Sequence, residues 1–207
     1  MVNSKRIKIL FKHCMDKLFS IMGLIILSPL FIIIGIILRF QGEDVFFLQK
    51  RTGHLGKEFK VFKFTTMPKG SEKLGLITTP NDPRTTKLGK FLRKTSLNEI
   101  PQLINILRGD MSFVGPRPLV QIGEYLNDDE IMKYYRMRPG LTGLASIFYS
   151  NEDELLENVE NSYEYYEKII MPKKQQLEEE NYDNWNIFLD LKIIFMTIKR
   201  VIYDRYK

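Results

Sequence analysis

Residues 93–118, RKTSLNEIPQLINILRGDMSFVGPRP, combine a basic flank, a helix start and a stiff turn. Ser96 and Glu99 have the spacing of a capping box, in which two side chains hydrogen-bond to the backbone of the first helical turn. Pro101 lacks an N–H and is tolerated only in a first turn. Apolar residues then follow at the spacing of one helix face, at Ile100, Leu103, Ile104 and Leu107. The stretch predicts a helix starting near Asn98, whose free N–H groups would attract phosphate.

Two arginines of this stretch are candidate phosphate ligands. Arg93 belongs to a basic cluster with Lys90 and Lys94, and its planar fork can hold phosphate oxygens in pairs. Arg117 lies between two prolines that fix the backbone, which suits a preorganised clamp for a transferred phosphoryl group. The alternatives are a solvated basic face for Arg93 and an exposed turn residue for Arg117.

Composition limits the classes of function. The 207 residues are sufficient for one sizeable core, and no linker or repeat indicates a second one. A net charge of +6 suits nucleic acid, acidic lipid headgroups or phosphorylated substrates. No zinc-finger, basic-zipper or RNA-recognition signature accompanies the charge, so we expect no nucleic-acid partner. With Cys14 as the single cysteine, an intramolecular disulfide and a cysteine-based zinc site are excluded.

Residues 18–38 form an uncharged run of about membrane-spanning length, so we expect contact with membrane lipid. A cleaved signal peptide is disfavoured because no small-residue cleavage site follows. Ser28 and Pro29 fall at the middle of the run, where Pro29 removes a backbone hydrogen bond and the Ser28 hydroxyl can meet the freed carbonyl. Basic residues flank both ends, which favours a re-entrant helix-break-helix with both ends on the cytoplasmic side. An ordinary spanning helix with a tolerated proline is the alternative.

Two segments rich in Phe and Val, residues 44–49 and 59–66, flank Gly53 and Gly56 and predict a short β-hairpin. Lys63 lies in the second segment. It is a candidate phosphate ligand or a solvated strand lysine. Residues 144–147 suggest a further strand, and the apolar stripe from Trp185 onward predicts a helix that lies at the membrane interface or docks on the core.

The stretch TSLNEIPQLINILRGDMSFVGPRP resembles the signature of the bacterial sugar transferases, the monotopic polyprenyl-phosphate phosphoglycosyl transferases. Further matches occur in the family's order at residues 46–53, 59–67, 82–84 and 138–143. The resemblance implies transfer of a hexose-1-phosphate from a UDP-sugar to polyprenyl (undecaprenyl) phosphate, which initiates surface glycan assembly. It also implies a monotopic protein of the bacterial inner membrane with its catalytic part facing the cytoplasm.

The family carries an Asp-Glu pair whose Asp is the nucleophile, and this chain has Asn98-Glu99 instead. An amide cannot form the acyl phosphate that the family uses. Three hypotheses are open: the substitution inactivates the protein, another carboxylate such as Glu99 takes over, or the lipid phosphate attacks the sugar nucleotide directly. By resemblance Glu99 would also bind Mg²⁺, and Lys63 and Arg138 would contact substrate with Arg93 and Arg117.

We therefore predict an α+β, predominantly helical protein. Residues 1–40 would form the re-entrant membrane anchor, and residues 41–207 the compact sugar transferase domain with interfacial helices. A catalytically inert membrane partner of the glycan machinery is the alternative function, and a homodimer is left open.

Overall fold

A computed structural model of the protein describes residues 2–71, 82–120, 127–157, 159 and 161–203. Among these, helices predominate and the strands are short, as predicted. The helices are α1 (Val2–Phe40), α2 (Lys87–Lys94), α3 (Gln102–Arg108), α4 (Asp128–Tyr134), α5 (Leu144–Phe148), α6 (Glu152–Glu157), α7 (Ser162–Tyr165), α8 (Met171–Asp183) and α9 (Ile187–Tyr203). The strands are β1 (Phe46–Thr52), β2 (Glu58–Phe64), β3 (Ser112–Val114) and β4 (Gly140–Thr142).

Helix α1 runs through the proline at its middle. Pro29 cannot donate to the Ile25 carbonyl oxygen, and the Ser28 hydroxyl donates to that oxygen instead, at 2.7 Å. The predicted use of the Ser28 hydroxyl is thus confirmed. The predicted break differs from the structure, since α1 stays helical across Ser28 and Pro29. The hydroxyl replaces the lost hydrogen bond, so the proline does not end the helix here.

One face of α1 is held against the rest of the chain along much of its length. The Ser112 hydroxyl donates to Asp16 Oδ2 at 2.7 Å, and the Ser20 hydroxyl donates to the Leu103 carbonyl at 2.5 Å. Further along α1, Ile34 and Leu38 are buried. Such contacts place α1 beside the strands and α3, which carry the site. A unit consisting of residues 1–40 stays a prediction.

β1 and β2 form the predicted hairpin, an antiparallel pair that runs from Phe46 opposite Phe64 to Thr52 opposite Glu58. It packs on α1 through two apolar clusters. One contains Ile34, Leu38, Phe64 and Leu92, and the other contains Val61, Leu103, Ile106 and Met111. Since both clusters include side chains of β2, this strand is fixed between α1, α2 and α3.

β3 and β4 form a separate parallel pair, Ser112 opposite Gly140 and Val114 opposite Thr142. Gly115 follows β3, and a Cβ there would lie 2.2 Å from the Arg138 carbonyl oxygen. Only glycine allows this close approach. The predicted strand at residues 144–147 was wrong, because Leu144–Phe148 forms α5; the strand contact lies at Gly140–Thr142 instead.

Candidate active site

The predicted helix start at Asn98 was wrong in its details. Leu97–Glu99 forms a 3-10 turn, and α3 begins only at Gln102. Ser96 is in the left-handed conformation, with φ 56°, and its side chain accepts no capping hydrogen bond. The Glu99 N–H donates to the Ser96 carbonyl at 3.1 Å. The predicted phosphate site at free helical N–H groups is therefore absent at Glu99.

The Glu99 side chain serves a different purpose. Its Oε1 atom accepts from Lys63 Nζ at 3.0 Å and from Arg117 Nη2 at 3.2 Å. Burial alone would raise the pKa of Glu99, but the charges of Arg117 and Lys63 outweigh it and lower this pKa to about 2. Glu99 is therefore ionised at neutral pH and joins β2 to the turn after β3.

Arg51, on β1, adds a further positive charge that the sequence analysis did not select. Its Nη1 atom donates to the Pro118 carbonyl at 3.0 Å, and its Nη2 atom to Gln49 Oε1 at 2.6 Å. Burial and the nearby charge of Arg117 lower the pKa of Arg51 to about 10. Burial lowers the pKa of Lys63 as well, and Arg117 and Arg51 act in the same direction. The positive charges thus exceed what Glu99 compensates, which favours an anionic ligand.

Arg93 reaches the same cleft from α2. Its Nε atom donates to the Thr66 hydroxyl at 2.9 Å. Gly89, one helical turn earlier, allows this packing, because a Cβ at that position would lie 2.1 Å from the Thr66 carbonyl oxygen. Thr86 caps α2 by accepting from the Gly89 N–H at 2.9 Å. The N-cap and the glycine together hold Arg93 at the end of β2.

These side chains surround one cleft of about 890 Å³. Its polar wall contains Arg51, Lys63, Arg93, Asn98, Glu99 and Arg117. The Asn98 side chain makes no hydrogen bond to any described residue, so its amide is available to a ligand. A volume in this range is typical of small-molecule sites. Groups that are distant in the sequence, from β1, β2, α2 and the two turns, thus converge on one cleft whose cations suit an anionic ligand.

The Arg117 turn is held from behind. The Tyr135 hydroxyl donates to the Arg117 carbonyl at 3.0 Å and accepts from the Leu119 N–H at 2.9 Å. Burial raises the pKa of Tyr135 well above its ordinary value, so the hydroxyl keeps its proton. The stiff turn predicted from its prolines therefore has a specific support.

Arg138 does not line this cleft. Its guanidinium packs on the Gly109 turn, with Nη1 3.3 Å from where a Gly109 Cβ would lie. Asp16 and Asp110 are the acidic groups near it. The structure thus separates Arg138 from the five other predicted substrate and catalytic positions, which line the cleft: Lys63, Arg93, Asn98, Glu99 and Arg117.

Among the described residues, no three His, Cys, Asp or Glu side chains lie close enough to hold a metal ion by themselves. Glu99 offers one oxygen, because Oε2 accepts no hydrogen bond from this part of the chain. Mg²⁺ usually takes one or two carboxylates plus phosphate oxygens of the substrate. Glu99 therefore fits a Mg²⁺ ion that is held mainly by a bound diphosphate.

The family model described as bacterial sugar transferase matches residues 7–204. The chain belongs to the bacterial sugar transferase family. It is 38% identical to the exopolysaccharide production protein ExoY of Rhizobium meliloti, with 94% of this chain and 86% of the relative covered. As a member of this family, the protein is a transferase, and the resemblance of residues 93–118 is confirmed.

Two further relatives are named for their reactions. The UDP-glucose:undecaprenyl-phosphate glucose-1-phosphate transferase of Klebsiella pneumoniae is 39% identical, covering 93% of this chain and 40% of the relative. The undecaprenyl-phosphate galactose phosphotransferase of Salmonella typhimurium is 34% identical, covering 96% of this chain and 42% of the relative. The chain thus spans about two-fifths of the length of each of these two relatives.

Proposed function

We propose that the protein transfers a hexose-1-phosphate from a UDP-sugar to polyprenyl phosphate, and so starts the assembly of a surface glycan. The convergence of Lys63, Arg93 and Arg117 around Glu99 and Asn98 in one cleft carries this proposal. A UDP-sugar and a polyprenyl phosphate both bring phosphate groups to such a cleft. The names of the two reaction-specific relatives support the same substrates.

The cations would bind the two phosphates of the UDP-sugar and neutralise charge that develops on the transferred phosphoryl group. An oxygen of the acceptor phosphate, or of a side chain acting as carrier, forms a bond to the sugar-linked phosphorus. The bond from that phosphorus to the bridging oxygen breaks, and UMP leaves with the electron pair. Glu99 orients Lys63 and Arg117 by accepting from both.

Mg²⁺, bound by Glu99 and the diphosphate, would supply further charge neutralisation on the phosphate oxygens. Asn98 supplies a neutral amide to the same space. It can donate a hydrogen bond to a phosphate oxygen or accept one from a sugar hydroxyl.

The soluble sugar nucleotide and the acceptor lipid must meet at headgroup level. We place the protein at the bacterial inner membrane with its cleft on the cytoplasmic side, as a monotopic protein anchored by α1. The part of α1 from Ile7 to Phe40 is long and apolar enough to cross a membrane by length and composition. Contacts of Asp16, Ser20 and Ile34 with the rest of the chain favour a helix that stays beside its domain.

Replacing Asn98 tests the function directly. Because the neutral amide of Asn98 cannot form an acyl phosphate, it favours one alternative function, that of an inert membrane partner of the glycan machinery. We expect Asn98→Asp to release UMP from UDP-hexose several orders of magnitude faster than the wild type, because removal of a nucleophile costs up to about a millionfold in rate. Asn98→Ala is the control without any carboxylate.

The intact mass after incubation with UDP-hexose and Mg²⁺ separates the chemical routes. A hexose-phosphate adduct on the wild type would identify a carrier other than residue 98, and Glu99→Gln would abolish the adduct if that carrier is Glu99. Product without an adduct would identify direct attack by the lipid phosphate. UMP release by neither the wild type nor Asn98→Asp would overturn the transferase proposal in favour of the inert partner.

A further inference from the structure

The outer edge of β1 gives the cleft an apolar wall. Within the described chain β1 pairs only with β2, so the edge of β1 that faces away from β2 is unpaired. Residues 46–49 of β1 line the cleft. Phe47 and Leu48 leave 37% and 46% of their surfaces exposed, and because side chains alternate along a strand they flank this edge from opposite faces of the hairpin. Exposed apolar side chains on both sides of a strand edge that lines a ligand cleft indicate a contact with apolar ligand surface.

This wall begins directly beside the cations. Phe47 lies opposite Lys63 across the hairpin, so both side chains point to the same face of the sheet. Side chains in such pairs are typically about 5 Å apart. Lys63 in turn contacts Glu99 at 3.0 Å. A ligand whose phosphate contacts Lys63 would therefore bring its next atoms over Phe47.

The wall rests on α1. The Phe46 and Phe64 rings stack with centroids 5.7 Å apart, and Phe64 meets Phe31 of α1 edge-on at 5.1 Å. Only residues 41–45 separate β1 from Phe40, the last residue of α1, which is 89% exposed. The side of this edge that carries Phe46 and Leu48 is thus continuous in packing with the helix that we place in the membrane, while Phe47 lies on the side of Lys63.

We propose that the β1 edge at Phe46, Phe47 and Leu48 binds the hydrocarbon chain of the acceptor lipid, with the lipid phosphate at Lys63. The inference rests on the proposed function and assigns its acceptor subsite. An amphiphile with one anionic end and an apolar chain matches this site, because the cationic side chains around Lys63 lie next to the apolar β1 edge that leads toward α1. The competing occupant, the base of the sugar nucleotide, is an outcome of the test.

Equilibrium binding measures this subsite even if Asn98 makes the protein inactive. The probes are geranyl, farnesyl and geranylgeranyl monophosphate, titrated calorimetrically into the 207-residue chain in detergent micelles, with UDP as a separate ligand. We expect affinity of the wild type to rise with chain length. Phe47→Ser and Leu48→Ser should each weaken farnesyl phosphate binding about tenfold, because each removes part of an apolar contact. UDP affinity should change less than twofold.

Leu155→Ser is the matched control, since Leu155 on α6 is 45% exposed and does not line the cleft. It should leave prenyl phosphate affinity unchanged. Leu48→Ala, which shortens the side chain without adding a hydroxyl, should give an intermediate loss, and its circular dichroism spectrum reports folding. Inorganic phosphate, which has no chain, should bind all variants equally.

Several results would overturn the subsite. A loss of UDP affinity with unchanged prenyl phosphate affinity would assign the wall to the nucleotide. Affinity that does not depend on chain length, or equal losses in Leu155→Ser and Leu48→Ser, would likewise contradict it. Failure of the wild type to bind UDP at all would instead refute the proposed function, whatever the prenyl phosphates do.

Discussion

At the scale of single residues, Glu99 shows how a carboxylate stays charged in a confined position. Removal from water opposes ionisation, yet two cations contact the same oxygen, and their attraction exceeds the desolvation cost. The carboxylate also stabilises the two cations, since Lys63 and Arg117 would repel each other without it. Glu99 therefore stabilises both the fold of the site and the spacing of its cations.

This arrangement predicts a pH dependence of stability. The pKa of Glu99 is about 2 in the fold and 4.5 as the ordinary value. Because folding lowers this pKa, the stabilisation by Glu99 is complete above pH 4.5 and is lost as the pH falls toward 2. Glu99→Gln should lower the free energy of unfolding at pH 7 by about 1–3 kcal/mol.

Thermal unfolding from pH 7 to pH 2 measures this effect. The difference in unfolding temperature between the wild type and Glu99→Gln should shrink below pH 4.5, because Glu99 of the wild type becomes protonated and loses the charge that the variant lacks. Glu58→Gln is the control, because within the described part of the chain Glu58 pairs with Lys50 alone, on an exposed surface, at 3.3 Å. If the difference in unfolding temperature between the wild type and Glu99→Gln stayed constant down to pH 2, the predicted role of this charge would be contradicted.

The sequence predicted which residues gather at the site better than it predicted what each one does locally. Ser96 and Glu99 have capping-box spacing, but a capping box uses only local contacts. Lys63 and Arg117, which are distant in the sequence, bind Glu99 more strongly than a backbone N–H would. Arg51 was missed because the predicted strand ended at residue 49. With a longer strand, alternation would have placed Arg51 on the same face as Phe47 and Lys63.

At the scale of elements, the contact between α2 and the end of β2 decides where Arg93 lies. Thr66 meets α2 twice, since its carbonyl accepts from the Thr86 N–H at 3.0 Å and its hydroxyl accepts from Arg93. Gly89 and Arg93 are four residues apart and share one helix face. A side chain at Gly89 would therefore push this face away from Thr66.

We expect Gly89→Ala to destabilise the protein by about 1–3 kcal/mol, because overpacking against backbone forces α2 to move. The same movement should break the Arg93–Thr66 hydrogen bond and weaken UDP binding. Calorimetric titration with UDP and thermal unfolding measure the two effects.

Gly35→Ala is the matched control for this prediction. A Cβ at Gly35 would lie 3.6 Å from the Val45 Cγ1 atom, an ordinary contact, and alanine is favoured over glycine inside a helix. It should leave UDP affinity unchanged and stability equal or higher. Equal UDP affinity in the wild type and Gly89→Ala would contradict the positioning role of this contact.

The elements that sequence patterns predicted well are those whose signal is local. The hairpin followed from segments rich in Phe and Val, although its strands begin and end up to three residues away from the prediction. α5 was mistaken for a strand because Leu144–Phe148 is apolar, a pattern that short buried helices share. Its helical form is supported by tertiary contact, where Glu178 accepts from the Ala145 N–H at 3.1 Å.

At the scale of the whole molecule, α9 docks on the protein through one face, and the opposite face is exposed and apolar. Asp190 and Ile193 are buried, and the Thr197 hydroxyl meets that of Thr142 at 2.6 Å. The opposite face exposes a stripe of large apolar residues, namely Phe188, Leu191, Phe195, Ile198 and Ile202. α1 likewise buries one face and exposes residues such as Ile25, Ile26, Ile32 and Ile33. The N-terminal parts of α1 and α9 are joined by the buried ion pair of Lys12 with Asp190.

We predict that the exposed stripes of both helices contact one membrane surface. Exposed apolar area on this scale is unfavourable in water, and an amphipathic helix binds the interface through its apolar face. An environment-sensitive fluorophore can be attached singly to Phe195→Cys, Ile33→Cys or Leu155→Cys after Cys14→Ser removes the native thiol. In phospholipid vesicles, labels at positions 195 and 33 should emit at shorter wavelength and be quenched by bilayer-embedded quenchers. The label at position 155, on α6, should respond as in water, and a label at position 195 that behaves like the one at 155 would remove α9 from the membrane surface.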